Sequence, residues 1–236
     1  MLIADESPDS TEPVAILERR DDIALITFNR PRAFNVVNAA LARAVGDALK
    51  EFVADPELRV AVVTGAGRAF CAGLDLKGAA TKRSASVHEH EVLTLAGALN
   101  YFGNKPIIAA VNGFALGDGI AIVLACDFVI ADENAQFFGL RRVSHELLDA
   151  LDDTLLAPHQ VHKKIVLNMM LASESLDAVT SARWGVVDRI AAAGKAVDVA
   201  LKLAETIAAN APLPIQTTRR ILGRSDLPES PREPAV

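Results

Sequence analysis

The sequence of 236 residues is poor in cysteine, in basic charge and in long apolar runs, and each shortage excludes a class of protein. Its two cysteines, Cys71 and Cys126, lie inside apolar stretches, which indicates buried free thiols and not the disulfide framework of a secreted domain. The net charge of −6 argues against a nucleic-acid-binding protein, because contacts with phosphates need a basic surface. No apolar run approaches the roughly 20 residues that span a bilayer.

The N-terminal segment, MLIADESPDSTEPV, is acidic and has neither the basic start nor the apolar run of a signal peptide. Hydrophobic residues make up 51% of the chain, which is enough apolar material for the core of one domain. We therefore expect a cytoplasmic protein that has no nucleic-acid or membrane partner. We expect a disordered tail over residues 1–12, a folded core over 13–190, a helical C-terminal region over 191–224 and a disordered tail over 225–236.

The apolar periodicity predicts an α/β fold. The segment around Arg20 and Asp22 predicts a hairpin or two short strands, and helical spacing runs from about Asn38 to Val53. The runs RVAVVTG, PIIAAVNG and DFVIAD are short and continuously apolar, as in strands buried on both faces of a parallel sheet. Strands that alternate with helices imply right-handed crossovers. From residue 144 onward the pattern predicts mainly helices.

The stretch GFALGDGIAI, residues 113–122, places three glycines and one aspartate between two apolar runs. It predicts a strand that ends at Val111, a tight turn, and a helix that begins near Asp118. The first N–H groups of a helix have no partner within it, and they suit a negative oxygen of a phosphate or of an oxyanion. The dinucleotide fingerprint is not matched, because no glycine stands three residues after Gly119. A simple strand-to-helix connection is the alternative.

A second glycine-rich turn, GAGRAFCAGLDLK over residues 65–77, also follows a buried strand. If the two turns lie at the ends of neighbouring parallel strands, each of them supplies one N–H group to the same oxygen. This arrangement predicts an oxyanion hole that is built from backbone groups alone.

Together with these turns, the segments ITFNRPRAFNVVN, KPIIAAVNGFALGDGIAIVLACDFVIADENAQF and SARWGVVDRI resemble the enoyl-CoA hydratase/isomerase (crotonase) family over roughly residues 14–223. The resemblance implies a spiral of strand-strand-helix units with a helical C-terminal region, assembled as a homotrimer or hexamer. It implies an acyl-CoA thioester as ligand, with the backbone N–H groups of Leu74 and Asp118 polarising the thioester carbonyl and stabilising an enolate. It implies no metal and no cofactor, because coenzyme A enters as part of the substrate.

The sequence departs from the family at the positions that carry acid–base chemistry. Asp118 replaces the usual middle glycine of the turn, and its side chain either caps the helix or, if it faces the enolate, repels it. The two glutamates of the hydratases correspond to Ala121 and Arg141, or to Arg142 if the alignment shifts by one. Neither alanine nor arginine transfers a proton. Ordinary hydration by a glutamate pair is therefore not expected.

Other members of the family place an aspartate eight residues after the second glutamate position, where it transfers a proton or acts as a nucleophile. That position is Asp149 here, in the acidic segment VSHELLDALDDT. The resemblance therefore implies Asp149 as a relocated acid or base, helped by His145 or Glu146. The leucines of this segment have helical spacing, so an amphipathic helix with a solvated acidic face is the alternative.

The segment RPRAFN matches the family segment that lies along the nucleotide end of CoA. The implied CoA-binding residues are Arg32, Ala33, Phe34, Ala72 and Asp75. Arg32 would pair with a phosphate in fork geometry, and an exposed arginine without a partner is the alternative. Asp75 has a structural alternative, in which it turns or caps the chain after the oxyanion loop. The C-terminal helices are shorter than those of the family.

The leading hypothesis is an enzyme that acts on acyl-CoA thioesters by enolate stabilisation. Isomerisation or other enolate chemistry is favoured over hydration, because isomerisation needs only one base. Hydrolysis through Asp149 is a variant of the same hypothesis. The alternatives are a non-catalytic acyl-CoA-binding or scaffold protein and a relative that has lost CoA binding altogether.

Overall fold

The computed structural model describes residues 12–73, 75, 104–138, 164–165 and 174–225. The strands are β1 (Ala15–Arg20), β2 (Ile23–Phe28), β3 (Val60–Gly65), β4 (Ala69–Cys71), β5 (Ile107–Val111), β6 (Phe114–Leu116), β7 (Phe128–Asp132), β8 (Gln136–Phe138), β9 (Ser175–Asp177) and β10 (Arg189–Ala191). The helices are α1 (Ala39–Ala54), α2 (Asp118–Leu124), α3 (Ala178–Arg183), α4 (Ala196–Ala208) and α5 (Pro212–Ser225), and a 3-10 turn covers Pro31–Ala33.

A six-stranded sheet in the order β1-β2-β3-β5-β7-β10 forms the centre of the fold. The hairpin β1–β2 is antiparallel, and every later pair in this sheet is parallel. In the central register Val62 lies between Leu25 and Ile108. All residues of β3 and β5 are buried, as their continuous apolar runs predict. The predicted hairpin and the predicted parallel strands are therefore confirmed.

A second sheet of four short strands, in the order β4-β6-β8-β9, lies beside the first. Its strands β4, β6 and β8 run parallel, and each follows a strand of the larger sheet after a short turn. The sequence expectation of a strand that passes directly through one turn into a helix was wrong, because β6 (Phe114–Leu116) intervenes. Three residues are too few to show a strand periodicity in a sequence. The prediction of mainly helices after residue 144 likewise missed β9 and β10.

The larger sheet is covered on both faces, so its strands contribute to two separate hydrophobic clusters. Ala61 and Val63 of β3 point toward α1, α2 and the second sheet. Val60 and Val62 of the same strand point toward α4, where Leu203 packs against them. The strict alternation along β3 places adjacent residues on opposite faces. Burial on both faces explains why this strand carries no polar side chain before Thr64.

Polar side chains at the helix ends hold the helices against the sheet. Asn38 accepts the N–H of Leu41 at 2.9 Å and caps α1 where its sequence predicts a helix start. At the other end of α1, the Lys105 Nζ donates to the carbonyls of Phe52 and Asp55, at 2.7 and 2.6 Å. Burial beneath the helix lowers the pKa of Lys105, and the nearby Asp55 carboxylate partly offsets that effect.

Asp132, at the end of β7, holds the start of α4 by hydrogen bonds to its backbone. Its carboxylate accepts the N–H groups of Gly194, Lys195 and Ala196 at 3.0, 3.0 and 2.8 Å. The carboxylate thus binds the backbone just before α4 and the first N–H group of the helix, and it fixes the start of α4 to the end of β7. Among the described residues, no helix has both the length and the apolar character required to cross a membrane. The predicted tails, 1–12 and 225–236, lie outside the described residues except for one residue each.

Candidate active site

The two glycine-rich turns come into direct contact at the end of the second sheet. Strands β4 and β6 pair in parallel, with Cys71 opposite Ala115. Gly119, the second residue of α2, lies so close to the carbonyl of Cys71 that a Cβ atom there would overlap the carbonyl oxygen. Only glycine permits this approach of two backbone segments. The sequence expectation that the turns meet is thus fulfilled, and Gly119 is the point of contact.

Each turn contains a glycine with positive φ immediately before a predicted donor. Gly73, with φ +87°, precedes Leu74, and Gly117, with φ +53° and ψ −119°, precedes Asp118. The Gly117 N–H donates to the carbonyl of Phe138 at 3.2 Å, which ties the turn to β8. Asp118 then begins α2, and the N–H of a first helical residue has no partner within its helix. Leu74 lies outside the described residues.

The backbone on both sides of Leu74 is held by a short ladder of hydrogen bonds. The N–H of Ala72 donates to the carbonyl of Phe34 at 3.0 Å, and the N–H of Val37 donates to Gly73 at 2.8 Å. The N–H of Asp75 donates in turn to Val37 at 3.0 Å. The loop that carries the first predicted donor is therefore fastened to the segment that follows the 3-10 turn.

Asn35 links that segment to the turn between β3 and β4. It is fully buried, has φ +56°, and donates from its amide to the carbonyls of Ala66 and Ala69 at 3.0 and 2.8 Å. Its Oδ1 atom accepts the N–H of Arg30 at 2.9 Å. Asn35 was not among the residues predicted from the sequence. The available signal was an asparagine at the end of the RPRAFN turn, because asparagine tolerates a left-handed backbone.

Arg30 and Asp75 form a partly buried ion pair beside this ladder. The guanidinium donates to the carbonyl of Val36 at 2.6 Å and approaches the Asp75 carboxylate at 3.4 Å. The two side chains are only 8% and 12% exposed. This pairing supports the structural alternative for Asp75, which holds the chain directly after Leu74. Arg30 was missed because sequence alone does not say which arginine of the pair Arg30 and Arg32 turns inward.

The remaining predicted CoA-binding residues lie in two segments, the 3-10 turn with the residue that follows it and the glycine turn after β4. Arg32 is exposed, Ala33 and Phe34 are half-buried, and Ala72 is half-buried next to the glycine turn. The guanidinium of Arg68 lies over the Phe34 ring, 4.5 Å from its centroid. The structure therefore brings these residues onto one pair of turns, together with an arginine that the sequence analysis did not name.

Comparison with known proteins decides the family. The family model described as "Enoyl-CoA hydratase/isomerase" matches residues 18–230. The chain belongs to the enoyl-CoA hydratase/isomerase (crotonase) family. The resemblance noted in the sequence and the predicted α/β fold of this family are confirmed.

Three similar proteins illustrate the range of this crotonase family. An (E)-benzylidenesuccinyl-CoA hydratase of Thauera aromatica is 35% identical over 90% of this chain and 83% of its own length. The structure of a carnitinyl-CoA dehydratase from Mycobacterium avium 104 has 43% identity and a TM-score of 0.81, covering 89% of this chain and 82% of its own. A monofunctional enoyl CoA isomerase from M. smegmatis has 26% identity and a TM-score of 0.79, covering 93% and 97%.

At the position that the family resemblance assigns to a glutamate, this crotonase carries the methyl group of Ala121. The side chain lies in α2 and is 9% exposed. It offers no proton to a ligand. The second such position, Arg141 or Arg142, and the candidate acid or base groups His145, Glu146 and Asp149 lie outside the described residues.

Both cysteines are buried, and the surroundings of Cys126 disfavour its thiolate form. Cys126 is buried, and its Sγ donates to the carbonyl of Ile122 at 3.3 Å. Burial raises the pKa of the Cys126 thiol, and the neighbouring Asp127 carboxylate raises it further, so the thiolate does not form near neutral pH. Cys71 is also buried, and its backbone carbonyl is the group that contacts Gly119.

Proposed function

We propose that this protein is an enzyme that binds acyl-CoA thioesters and stabilises an enolate with the backbone N–H groups of Leu74 and Asp118. The observation that carries the proposal is the contact between Gly119 and the carbonyl of Cys71, which joins the two glycine turns. The positive φ values of Gly73 and Gly117 support it, because both turns bend immediately before the proposed donors. Membership of a family whose relatives are named for CoA thioesters supports the substrate class.

The proposed chemistry places the thioester oxygen where it accepts hydrogen bonds from both N–H groups. Removal of a proton from the carbon next to the thioester carbonyl puts negative charge on that oxygen. Donors that belong to a folded backbone are already oriented, so they stabilise the charge without rearranging. In acyl-transfer enzymes the loss of one such donor lowers the rate by about 10²- to 10³-fold, and we expect an effect of that order here.

We propose isomerisation, or other enolate chemistry, in preference to hydration. Hydration needs a group that activates water, and the buried methyl group of Ala121 cannot do so. Isomerisation needs one group that removes a proton from one carbon and returns it to another. We assign that role to Asp149, with His145 or Glu146 as its neighbour in the chain. The similar proteins include hydratases, a dehydratase and an isomerase, so the reaction has to be measured directly.

A second candidate function is binding of acyl-CoA without turnover. The observation in its favour is the same Ala121, together with Arg141 at the other position that the family resemblance assigns to an acid. This candidate shares the proposed CoA-thioester site and differs only in lacking a proton-transfer group. Binding and turnover therefore need separate measurements.

The experiment uses the absorbance of the conjugated thioester. Hydration of crotonyl-CoA removes this absorbance, whereas isomerisation of a 3-enoyl-CoA to the 2-enoyl-CoA creates it. We expect the purified protein to produce the gain and not the loss. Asp149→Ala should abolish the gain and leave CoA-thioester binding by calorimetry unchanged, and Asp153→Ala in the same acidic segment serves as the matched control.

Each result separates the candidates. Rapid loss of crotonyl-CoA absorbance would overturn the preference for isomerisation. Binding without either change in absorbance would favour the non-catalytic candidate, and the absence of binding would contradict both. An active Asp149→Ala variant would remove Asp149 from the mechanism while leaving the proposed substrate class intact.

We also propose a cytoplasmic homotrimer or hexamer. The helix α5 supports an assembly, because Leu213 and Ile221 are 75% and 61% exposed in the single chain. Apolar side chains on one exposed helix are typical of a surface that another subunit covers. Light scattering after size-exclusion chromatography measures the number of subunits, and a monomer at micromolar concentration would contradict this proposal.

A further inference from the structure

The pairing of β4 with β6 contains a β-bulge. Ala69 lies opposite Phe114, and Cys71 lies opposite Ala115. Strand β4 therefore advances by two residues where β6 advances by one, and Phe70 is the extra residue. Its side chain is fully buried in the hydrophobic core, which fixes the bulge in place. Bulges bend a strand and re-aim the residues that follow, and they are frequent beside active sites.

The bulge sets the register of the two proposed donors along the chain. Beyond it, Cys71 and Ala115 are opposite each other, and Leu74 and Asp118 each follow three residues later. Without the extra residue, Ala115 would lie opposite Phe70, and the two donors would be offset by one residue. One residue corresponds to about 3.3 Å along a strand, which is longer than a typical hydrogen bond. The bulge therefore decides whether both donors can share one oxygen.

The side-chain amide of Asn112 holds the segment that leads into this bulge. Asn112 follows β5 directly, and its Nδ2 atom donates to the carbonyl of Gly67 at 2.8 Å, with a longer contact of 3.5 Å to the carbonyl of Ala69. Its Oδ1 atom accepts the N–H of Gly65 at 3.2 Å. Both ends of one amide therefore bind the connection from β3 to β4, up to the residue before the extra Phe70.

The residue after Asn112 permits a close approach of the two strands. A Cβ atom at Gly113 would lie 2.1 Å from the carbonyl oxygen of Arg68, which is backbone and cannot rotate away. Asn35 also binds the Ala69 carbonyl, but it reaches that carbonyl from the segment after the 3-10 turn. Asn112 is thus the side chain that connects the start of β4 to the segment leading into β6.

We propose that Asn112 is a positioning residue for enolate stabilisation, because it fixes the register of the bulged strand β4 against β6 and so brings both donor N–H groups to one oxygen. This inference rests on the proposed function and deepens it, since it names a side chain that aligns a site built from backbone groups. The three residues of β6, about 10 Å long, separate Asn112 from the glycine turn, so it acts without touching the thioester carbonyl.

The test uses acetoacetyl-CoA, in which the carbon between two carbonyls loses a proton to the buffer and leaves an enolate that absorbs in the near ultraviolet. The native protein should raise the ratio of bound enolate to bound ketone at a fixed pH, because donors aimed at the thioester oxygen favour the charged form. Asn112→Ala should lower this ratio about tenfold, since a misplacement of about 1 Å costs up to about 100-fold. Asn112→Ser should be intermediate, because its shorter side chain cannot span from Gly65 to Gly67.

Two controls separate positioning from folding. Free CoA has no thioester carbonyl, so its affinity, measured by isothermal titration calorimetry, should be the same in the native protein and in both variants. Asn210→Ala is the matched substitution, because Asn210 likewise donates to two backbone carbonyls, those of Thr206 and Ile207, at the end of α4. It should leave the enolate ratio and the CoA affinity unchanged.

The outcomes distinguish this inference from the proposed function. An enolate ratio in Asn112→Ala equal to that of the native protein overturns the inference alone. Equal losses of enolate ratio and of CoA affinity also overturn it, because they assign Asn112 a general role in folding. A native protein that does not bind acetoacetyl-CoA, or binds it without raising the enolate ratio, contradicts the proposed enolate stabilisation itself.

Discussion

The two sheets of this protein use the same parallel pairing for different purposes. At the centre of the six-stranded sheet, β3 and β5 are wholly buried, and their side chains contribute to two hydrophobic clusters. The four-stranded sheet has strands of three residues, and its contribution is the position of the backbone at the glycine turns. Apolar side chains stabilise both sheets, since Phe70 and Phe137 of the second sheet are also fully buried. The second sheet differs because the lack of a side chain at Gly119 lets its backbone segments meet at the candidate site.

This comparison predicts that shortening a buried side chain in the larger sheet has the greatest effect on the free energy of unfolding. Ile108 is fully buried between β3 and β7, so Ile108→Ala should lower the free energy of unfolding by about 2–5 kcal/mol. Chemical denaturation measures the change. The folded fraction should still bind CoA with native affinity, and a loss of affinity as large as the loss of stability would contradict the division between the sheets.

A methyl group at the contact between the turns should affect function more than stability. Gly119→Ala forces a Cβ atom against the Cys71 carbonyl, which is backbone and cannot rotate away. We expect a loss of about 1–3 kcal/mol in the free energy of unfolding and a fall in turnover of about 100-fold or more. Denaturation and the thioester absorbance assay measure the two quantities.

The matched control for this variant is Gly46→Ala in α1. A Cβ atom at Gly46 meets nothing within 4 Å, and the residue lies in the interior of a helix. This substitution should stabilise the protein by about 0.5–1 kcal/mol and leave turnover unchanged. Equal behaviour of the two alanine variants would show that the close approach of the turns has no functional consequence.

The hydrogen bonds of Asn35 join the segment after the 3-10 turn to the turn between β3 and β4, so their removal should be intermediate in effect. Asn35→Ala leaves the carbonyls of Ala66 and Ala69 without their donor and places alanine at φ +56°. We expect a loss of about 1–3 kcal/mol in the free energy of unfolding. Hydrogen exchange should become faster at Ala72 and Asp75, which the ladder protects, and remain slow in β5. Uniform acceleration across both sheets would contradict this local role.

The smallest expected effect concerns Asp177, at the edge of the second sheet. Its carboxylate accepts the N–H of Thr180 at 2.6 Å and caps α3, and this hydrogen bond holds the pKa of Asp177 below its ordinary value of 3.8. Because the folded pKa is depressed, the stabilisation is complete above pH 3.8 and is lost as the pH falls through the folded pKa. Asp177→Ala should therefore lower the urea midpoint slightly at pH 7.

The pH dependence of the urea midpoint tests whether the charge of Asp177 causes the stabilisation. The difference between the native protein and Asp177→Ala should shrink as the pH falls below 3.8. Asp177→Asn retains a cap that does not titrate, so it should keep most of the stability and show no such convergence. A difference that is constant from pH 7 to pH 3 would assign the effect of Asp177 to something other than its charge.

Much of the larger sheet was predictable from the sequence, whereas most of the smaller sheet was not. The runs that became β3, β5 and β7 are long enough to show burial, and Asn38 marks the start of α1 by its chemistry. The three-residue strands are too short to show a periodicity in the sequence. They pair because each follows a strand of the larger sheet, and neighbouring strands of that sheet place them next to each other. The predicted domain boundaries and the roles of Leu74, Asp118 and Asp149 remain predictions.

The sequence by itself determined the fold class, the family and the presence of two glycine turns, because these depend on short local patterns that are visible in the linear sequence. The tertiary structure decided that Gly119 meets the Cys71 carbonyl, that Arg30 turns inward to Asp75, and that Arg68 stacks on Phe34. Each of these contacts joins residues that are far apart in the chain. Such contacts depend on the pairing and register of strands, which the folded sheet establishes and which no single segment encodes.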